Sequence, residues 1–346
     1  MVIKLFLPML TAFFMSLLAT PLIIKVAHHV GAIDVPSDDR RVHTKPIPRL
    51  GGLAIFISVM FSLLIFIDLP TTKLLGIMIG SLVIVFLGFV DDIAPIKAKY
   101  KLMVQILAAF ILVFSDIRIT GVSSFFNLSQ TIYVDEFLST AITILWIVGI
   151  TNTLNLIDGL DGLSGGVSTI SALTLAYVAF INGRIEIAII TLIIAGACLG
   201  FLPYNFNPAR IFMGDTGALF LGFILSAISI EGTIKSATAI TFFAPVLALG
   251  LPIFDTFFSI VRRTATGKHP FEADKGHLHH RILSMGFGQK KTVLMLYLIN
   301  TLLGLGGVFL LKKLYVEMGI TIAIAAILIL IPIRLSLKAR VKVDEE

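Results

Sequence analysis

The sequence predicts an all-α, polytopic integral membrane protein, folded as a single membrane-embedded domain over residues 1–346. Two features of composition indicate this class: 57% of the 346 residues are hydrophobic and only 14% are charged, against about 45–50% and about 25% in soluble domains. The third observation is that the apolar residues occur in runs of roughly 20, the length a helix needs to cross a bilayer. Because so few charged side chains cannot cover a soluble protein of this length, a water-soluble fold is excluded.

The apolar runs predict about eleven transmembrane helices, since a helix satisfies its own backbone hydrogen bonds in lipid. In chain order the runs lie near residues 3–27, 50–67, 73–90, 101–116, 138–155, 164–181, 186–202, 216–231, 237–261, 292–311 and 317–336. The first run is too long for a signal-peptide core and meets a basic loop, so we expect it to stay as a helix. Residues 117–137, between the fourth and fifth runs, are long enough for a small hairpin.

The basic residues predict the orientation of these helices. Most of the 27 Lys and Arg fall in alternate loops, on the side of the C-terminus, and bases beside helix ends resist translocation. We therefore expect the N-terminus outside and the C-terminus in the cytoplasm. Since the bases flank apolar runs, the net charge of +6 reflects topology, and no nucleic-acid partner is expected. The single cysteine, Cys198, excludes an intrachain disulfide.

Unusual polar residues collect on the cytoplasmic side, in the loops near 28–49, 91–100, 152–163, 203–215 and 262–291. The simplest pattern is the pair Asp91-Asp92 at the end of the third run. Adjacent carboxylates at a membrane edge repel each other unless a cation or a proton joins them, and acids at a helix C-terminus oppose its dipole. The pair is therefore a candidate for catalysis, with a solvated helix end as the alternative.

The segment 152–166 is the richest in polar side chains. Asn152, Asn155, Asp158 and Asp161 recur at every third position, so they share one face for as long as the segment stays helical. Their oxygens suit Mg²⁺ or Mn²⁺, and they could also hydrogen-bond a nucleobase or a sugar. A Gly-rich turn between helices would explain the glycines of this segment but not the four polar residues.

Two further segments offer candidate ligands. Asp215 and Thr216 stand where the N-cap of the eighth run belongs, so capping and metal binding both remain open. The run His277-Leu278-His279-His280-Arg281 suggests zinc only weakly, because neither cysteine ligands nor an HExxH pattern accompany it. A cationic clamp for a diphosphate is the better interpretation.

Bases in the first loop and one acid in the ninth run complete the candidates. Lys45 and Arg49 could serve the same anion as the histidines or could only enforce topology. Asp255 lies seven residues before Arg262 on the same helix face. It could be a structural ion-pair partner or a residue of the site.

Together, five motifs in this order resemble the polyprenyl-phosphate N-acetylhexosamine-1-phosphate transferase family (glycosyltransferase 4). They are His43 to Gly52, Asp91-Asp92, Asn152 to Gly162, Gly214 to Gly217, and His277 to Arg281. The His-Leu-His-His-Arg form and the Pro-Ile-Pro-Arg stretch of the first loop resemble the branch that initiates teichoic-acid, O-antigen or enterobacterial common antigen synthesis.

The resemblance implies an enzyme of the bacterial inner membrane that works at the cytoplasmic face with Mg²⁺, or alternatively Mn²⁺. It would transfer GlcNAc-1-phosphate from UDP-GlcNAc to undecaprenyl phosphate in the inner leaflet, releasing UMP, with membrane lipid around it and a homodimer left open. By resemblance, the catalytic residues are Asp91, Asp92 and Asp158, the metal ligands are Asn155 and Asp215, and the substrate-binding residues are Lys45, Arg49, Lys101, Asn152, Asp161, His277, His279, His280 and Arg281.

Three alternatives remain at this stage. The sugar could be another UDP-N-acetylhexosamine or UDP-MurNAc-pentapeptide. The reaction could be a direct attack or pass through an aspartyl-phosphate, and direct attack is favoured because a phosphomonoester with a second pKa of about 6 is largely ionised near neutrality. An ion-coupled secondary transporter is the alternative of another class, but transporter sites lie near the bilayer midplane, whereas these acids collect at one face.

Overall fold

The computed structural model describes residues 2–35, 46–68, 70–123, 131–234, 239–267 and 276–344. These ranges form helices joined by short loops and two small antiparallel hairpins. The helices are α1 Val2–Val30, α2 Gly51–Phe66, α3 Thr71–Ile93, α4 Ala98–Phe114, α5 Glu136–Ile157, α6 Leu163–Ile181, α7 Ile185–Asn205, α8 Gly214–Ser229 with a π-helical turn Ile230–Ile234, α9 Ala239–Ala248, α10 Gly250–Ala265, α11 Leu278–Ser284, α12 Gln289–Leu311 and α13 Tyr315–Asp344.

The structure confirms an all-α, multi-pass membrane protein. Within the described ranges, eight helices are long and apolar enough to cross a bilayer: α1, α3, α5, α6, α7, α8 with its π-helical turn, α12 and α13. Each coincides with a predicted span. The other three predicted spans correspond to the 16-residue α2, to the 17-residue α4, and to α9 with α10. The total of eleven spans and the orientation of the termini remain predictions.

The predicted span 237–261 is not one continuous helix, because α9 ends at Ala248 and α10 begins at Gly250. Pro252 has no backbone N–H and so cannot donate to the carbonyl of Ala248. The hydroxyl of Ser171 in α6 replaces the missing donor and donates to the Ala248 carbonyl at 2.6 Å. Asn300 of α12 in turn donates to the Ser171 hydroxyl at 3.2 Å. The break is thus stabilised by two neighbouring helices.

Helix α8 is the centre of the bundle, and every residue of it except Asp215 is buried. It packs against α3, α5 and α2. The approach to α3 is close: a β-carbon on Gly88 would lie 2.5 Å from the α-carbon of Thr216, so only glycine is tolerated there. As a result, the end of α3 that carries Asp91 and Asp92 meets the first turn of α8.

The two hairpins have different places in the fold. The first pairs β1 Ile33–Asp34 with β2 Ile47–Pro48. It is fixed beside α8, since the Phe212 N–H donates to the Pro48 carbonyl at 2.7 Å. The second pairs β3 Gly121–Ser123 with β4 Thr131–Tyr133 and confirms the hairpin predicted between residues 117 and 137.

Candidate active site

A cavity of about 350 Å³ opens where the loops before α6, before α8 and after β2 meet. We call it the site cavity. Its walls are mostly polar backbone and side chains from segments that are far apart in the sequence. The residues that line it are Asp34, Arg49, Asn155, Asp158, Gly159, Leu160, Asp161, Asn205, Phe212, Met213, Gly214, Asp215 and Gln289.

Both carboxylate oxygens of Asp215, which lines the site cavity, are engaged by neighbouring side chains. Its Oδ1 accepts a hydrogen bond from Asn155 Nδ2 at 3.1 Å, and its Oδ2 lies 2.6 Å from Lys101 Nζ. The same ammonium lies 2.7 Å from Asp91 Oδ2, while Asp91 Oδ1 accepts from the Ile96 N–H at 2.7 Å. Residues predicted from four separate motifs and loops therefore converge on one point.

Asp92 caps the first turn of α8 from the neighbouring helix. Its side chain is 0% exposed. Oδ1 accepts from the Asp215 N–H at 2.9 Å, and Oδ2 accepts from the Thr216 N–H at 3.0 Å and from the Thr216 hydroxyl at 2.6 Å. Neither Asp215 nor Thr216 is the N-cap, because the helix begins at Gly214. The capping alternative for Asp215 is therefore wrong, and its carboxylate bonds side chains at the site cavity instead of the first turn of α8.

The segment 152–166 follows one helical face only over its first half. Helix α5 ends at Ile157, so Asp158 and Asp161 lie in the loop before α6. Asn155 reaches the site cavity, but Asn152 does not line it. Instead Asn152 forms a reciprocal amide pair with the buried Gln105 of α4, at 2.6 Å and 3.3 Å. Its predicted contact with substrate remains a prediction.

Asp158 carries the strongest electrostatic perturbation among the loop residues of the site cavity. Burial first, and then the charges of Asp215 and Asp92, raise its pKa to about 8 against the opposing effect of Arg49. Arg49 itself lies 3.5 Å from Asp92 Oδ1 and 3.8 Å from Asp34 Oδ1. The site cavity thus concentrates negative charge, which favours cationic ligands and cations bound together with phosphate.

Asp161, which also lines the site cavity, is fixed through one of its carboxylate oxygens. Its Oδ2 accepts from Asn207 Nδ2 at 2.8 Å and from the Ala209 N–H at 3.1 Å. The same Asn207 nitrogen donates to Gln289 Oε1 at 2.7 Å. Asn205 accepts from the Gly162 N–H at 3.1 Å. The asparagines lie in a segment that the sequence singled out, but nothing in the sequence distinguishes Gln289.

The histidine run is ordered by Asp255 of α10. His277 Nδ1 lies 2.9 Å from Asp255 Oδ2, and the Leu278 N–H donates to Asp255 Oδ1 at 2.7 Å. Arg281 Nε donates to the Gly276 carbonyl at 3.0 Å. Asp255 is therefore a positioning residue for this run. None of His277, His279, His280 and Arg281 lines the site cavity, so their predicted clamp on the substrate remains a prediction.

His279 lies directly against the loop of the site cavity. A β-carbon on Gly159 would come within 2.7 Å of its Nε2. Its side chain is buried, with 2% exposure, and neither ring nitrogen has a hydrogen-bond partner among the described residues. Burial first, and then the neighbouring His280, lower its pKa to about 3. A neutral imidazole therefore abuts the loop that carries Asp158 and Asp161.

Lys45, the substrate-binding residue predicted in the first loop, lies outside the described residues.

The residues present fit a divalent cation shared with a phosphate ligand. Over the described ranges, no group of three or more His, Cys, Asp and Glu is arranged to hold a metal ion. The site cavity instead offers Asp215, Asp158 and the Asn155 amide. Mg²⁺ is commonly bound through one or two carboxylates together with substrate phosphates and water. This donor set suits that mode better than a site enclosed by protein alone.

Comparison with known proteins gives a consistent result. Residues 74–233 match the family described as Glycosyl transferase family 4. The chain is 38% identical to a protein of Bacillus subtilis described as a probable undecaprenyl-phosphate N-acetylglucosaminyl 1-phosphate transferase, over 86% of this chain and 84% of that one. It is 33% identical to the decaprenyl-phosphate N-acetylglucosaminephosphotransferase of Mycolicibacterium smegmatis, over 94% and 87%. It is 28% identical to the phospho-N-acetylmuramoyl-pentapeptide-transferase of Clostridium beijerinckii, over 87% and 94%.

Proposed function

The chain belongs to glycosyl transferase family 4, the polyprenyl-phosphate N-acetylhexosamine-1-phosphate transferases that its motifs resemble, and on this basis we propose its reaction. It transfers GlcNAc-1-phosphate from UDP-GlcNAc to undecaprenyl phosphate, giving undecaprenyl-diphosphate-GlcNAc and UMP. Relatives named for GlcNAc-1-phosphate transfer reach 38% identity, against 28% for the pentapeptide transferase. This difference supports GlcNAc over UDP-MurNAc-pentapeptide as the transferred group.

The single observation that carries the proposal is that Asp91 and Lys101 are linked to Asn155 and Asp215, the two of the four that line the site cavity. Their side chains are joined by contacts of 2.6 to 3.1 Å. Phosphoryl transfer needs little covalent help from protein, because positioning and electrostatic stabilisation of the phosphoryl group provide most of the catalysis. A cation-assisted acidic pocket beside a lysine and an arginine supplies both.

Each part of the reaction has candidate residues. Asp161, fixed by Asn207 and the Ala209 N–H, presents its other oxygen to the nucleobase end of UDP-GlcNAc. Lys101 and Arg49 bind the phosphates of donor and acceptor. An oxygen of the lipid phosphate attacks the phosphorus that carries the sugar, a new P–O bond forms, and the bond to UMP breaks. A Mg²⁺ held by Asp215, with Asn155 and Asp158 beside it, would neutralise charge on the diphosphate.

Direct attack needs no nucleophile from the protein, and the geometry of Asp92 supports this route. Its carboxylate oxygens are engaged by the first turn of α8, so it acts by fixing Asp215. Asp91, joined to Lys101, is the member of the pair suited to orienting the lipid phosphate. We place the site cavity at the cytoplasmic face of the inner membrane, because its loops belong to the side that carries most of the bases.

The test is UMP release by the purified full-length protein in nanodiscs that contain undecaprenyl phosphate. We expect UMP from UDP-GlcNAc in the presence of Mg²⁺, and little from UDP-MurNAc-pentapeptide. Asp215→Asn should lose activity at every Mg²⁺ concentration. Asp116→Asn is the matched control, since Asp116 follows the far end of α4, and it should keep wild-type turnover. Release of UMP from the pentapeptide donor alone would overturn the choice of sugar, and none with any donor would overturn the reaction.

A further inference from the structure

The Lys101 ammonium lies between two carboxylates, and one of them, Asp215, is the proposed ligand of the divalent cation. Its Nζ lies 2.7 Å from Asp91 Oδ2 and 2.6 Å from Asp215 Oδ2. The three side chains are only 23%, 8% and 18% exposed, so water screens these contacts weakly. Hydrogen bonds between an ammonium and a carboxylate at such distances are among the strong ones. The ammonium is therefore a firmly held counter-ion of these two carboxylates, of which Asp215 lines the site cavity.

Both oxygens of Asp215 are engaged by donors. Asn155 Nδ2 donates to Oδ1 at 3.1 Å, and Lys101 takes Oδ2. The two donors differ in what they can become. An amide that turns over presents its oxygen and changes from donor to ligand, whereas an ammonium has no acceptor atom. A metal ion at about 2.0–2.1 Å from Asp215 can therefore share the carboxylate with Asn155 but meets charge repulsion from Lys101.

We propose that the Lys101 ammonium competes with the divalent cation for Asp215, so that metal binding displaces it toward Asp91. The proposal rests on the metal-assisted reaction proposed above. Asp91 keeps its bond from the Ile96 N–H and remains a partner for the displaced ammonium. The flexible stem of lysine permits the movement, and the released cation then lies beside the place where the lipid phosphate must bind. Lys101 thus links metal loading to acceptor binding.

The test compares Mn²⁺ binding to two variants of the full-length protein in phosphatidylcholine nanodiscs, followed by electron paramagnetic resonance at pH 8 without nucleotide or lipid phosphate. Lys101→Met removes the competing ammonium but keeps most of the side-chain length. Lys99→Met is the matched control: it removes one charge from the same helix, and Lys99 Nζ lies over the Tyr100 ring instead, 4.8 Å from its centroid.

We expect Lys101→Met to bind Mn²⁺ about tenfold more tightly than the wild type, with Lys99→Met within about twofold. Asp215→Asn should abolish the gain in the Lys101→Met background. Unchanged, weaker or undetectable binding in Lys101→Met overturns the proposal, and Lys101→Leu, which also lacks a charge and an acceptor atom, repeats the test if the methionine variant does not fold. Failure of the proposed function would appear separately: the wild-type protein would release no UMP, while Lys101→Met would still bind Mn²⁺ more tightly than the wild type.

Discussion

Replacement of Asp92 by Asn tests whether this residue acts by fixing Asp215. The carboxylate accepts three hydrogen bonds from the first turn of α8, two from backbone N–H groups and one from the Thr216 hydroxyl. An asparagine of the same shape has one acceptor oxygen, so its amide nitrogen would face a backbone N–H, donor against donor. Loss of one hydrogen bond to a charged group costs about 1.5–3 kcal/mol.

If that free energy is lost from the positioning of Asp215, turnover should fall by about 10- to 150-fold, at about 1.36 kcal/mol per tenfold. UDP-GlcNAc binding should change little, because Asp92 does not line the site cavity. The assay pairs UMP release with isothermal titration of UDP-GlcNAc and with the thermal midpoint of unfolding.

Thr216→Val is the matched control for Asp92→Asn, because it removes only the hydroxyl bond and leaves the charge and both backbone bonds in place. We expect its loss of turnover to be smaller, and both variants should lower the midpoint of unfolding. Near-normal turnover in Asp92→Asn would refute a role for the capping contact. Lost turnover with unchanged stability would instead make Asp92 a group that acts on the reacting atoms.

Three other predictions concern the surroundings of the site. Gln105→Leu should lower turnover and weaken Mn²⁺ binding, because the amide partner that holds Asn152 against α4 is lost. The double exchange Gln105→Asn with Asn152→Gln should restore part of the turnover and part of the Mn²⁺ affinity. No recovery in the double variant would argue against a role for this amide pair. Gly159→Ala should reduce turnover at least tenfold, because its β-carbon needs space that the His279 ring occupies; a fully active variant would show that the loop adjusts freely. With a folded-state pKa of about 3 and an unfolded value of about 6.5, His279 should cost the fold about 2 kcal/mol at pH 5 relative to pH 7.5, since only the unfolded chain takes up its proton. The unfolding midpoint of His279→Gln should therefore fall less between pH 7.5 and pH 5 than that of the wild type. An equal fall in both proteins would contradict the low pKa of His279.

Much of the fold follows from local patterns in the sequence. Long apolar runs define α1, α3 and α7, because the bilayer imposes one length on every spanning helix. The break at Leu249 does not follow so simply. Pro252 removes one donor, but the break is stable because Ser171 supplies a replacement from a helix 77 residues earlier. Such compensation depends on tertiary contacts that no local pattern contains.

The candidate site shows the same limit. Motifs of carboxylates and amides identified Asp91, Asn155 and Asp215, because these residue types in a cluster are rarely only structural at a membrane edge. The contacts between them were not predictable. Asp92 caps a helix whose bonded residues lie 123 and 124 positions later. Gln105 is a single amide in an apolar run, and only the packing of α4 on α5 shows what it does.

The burial of α8 has a consequence for how the protein responds to its membrane. Asp215 is borne by a helix whose other residues are all enclosed by neighbouring helices, so bilayer thickness, tension and lipid composition act on it only through those neighbours. Changes in the lipid around the protein therefore reach the Asp215 carboxylate only after the helices packed around α8 have transmitted them.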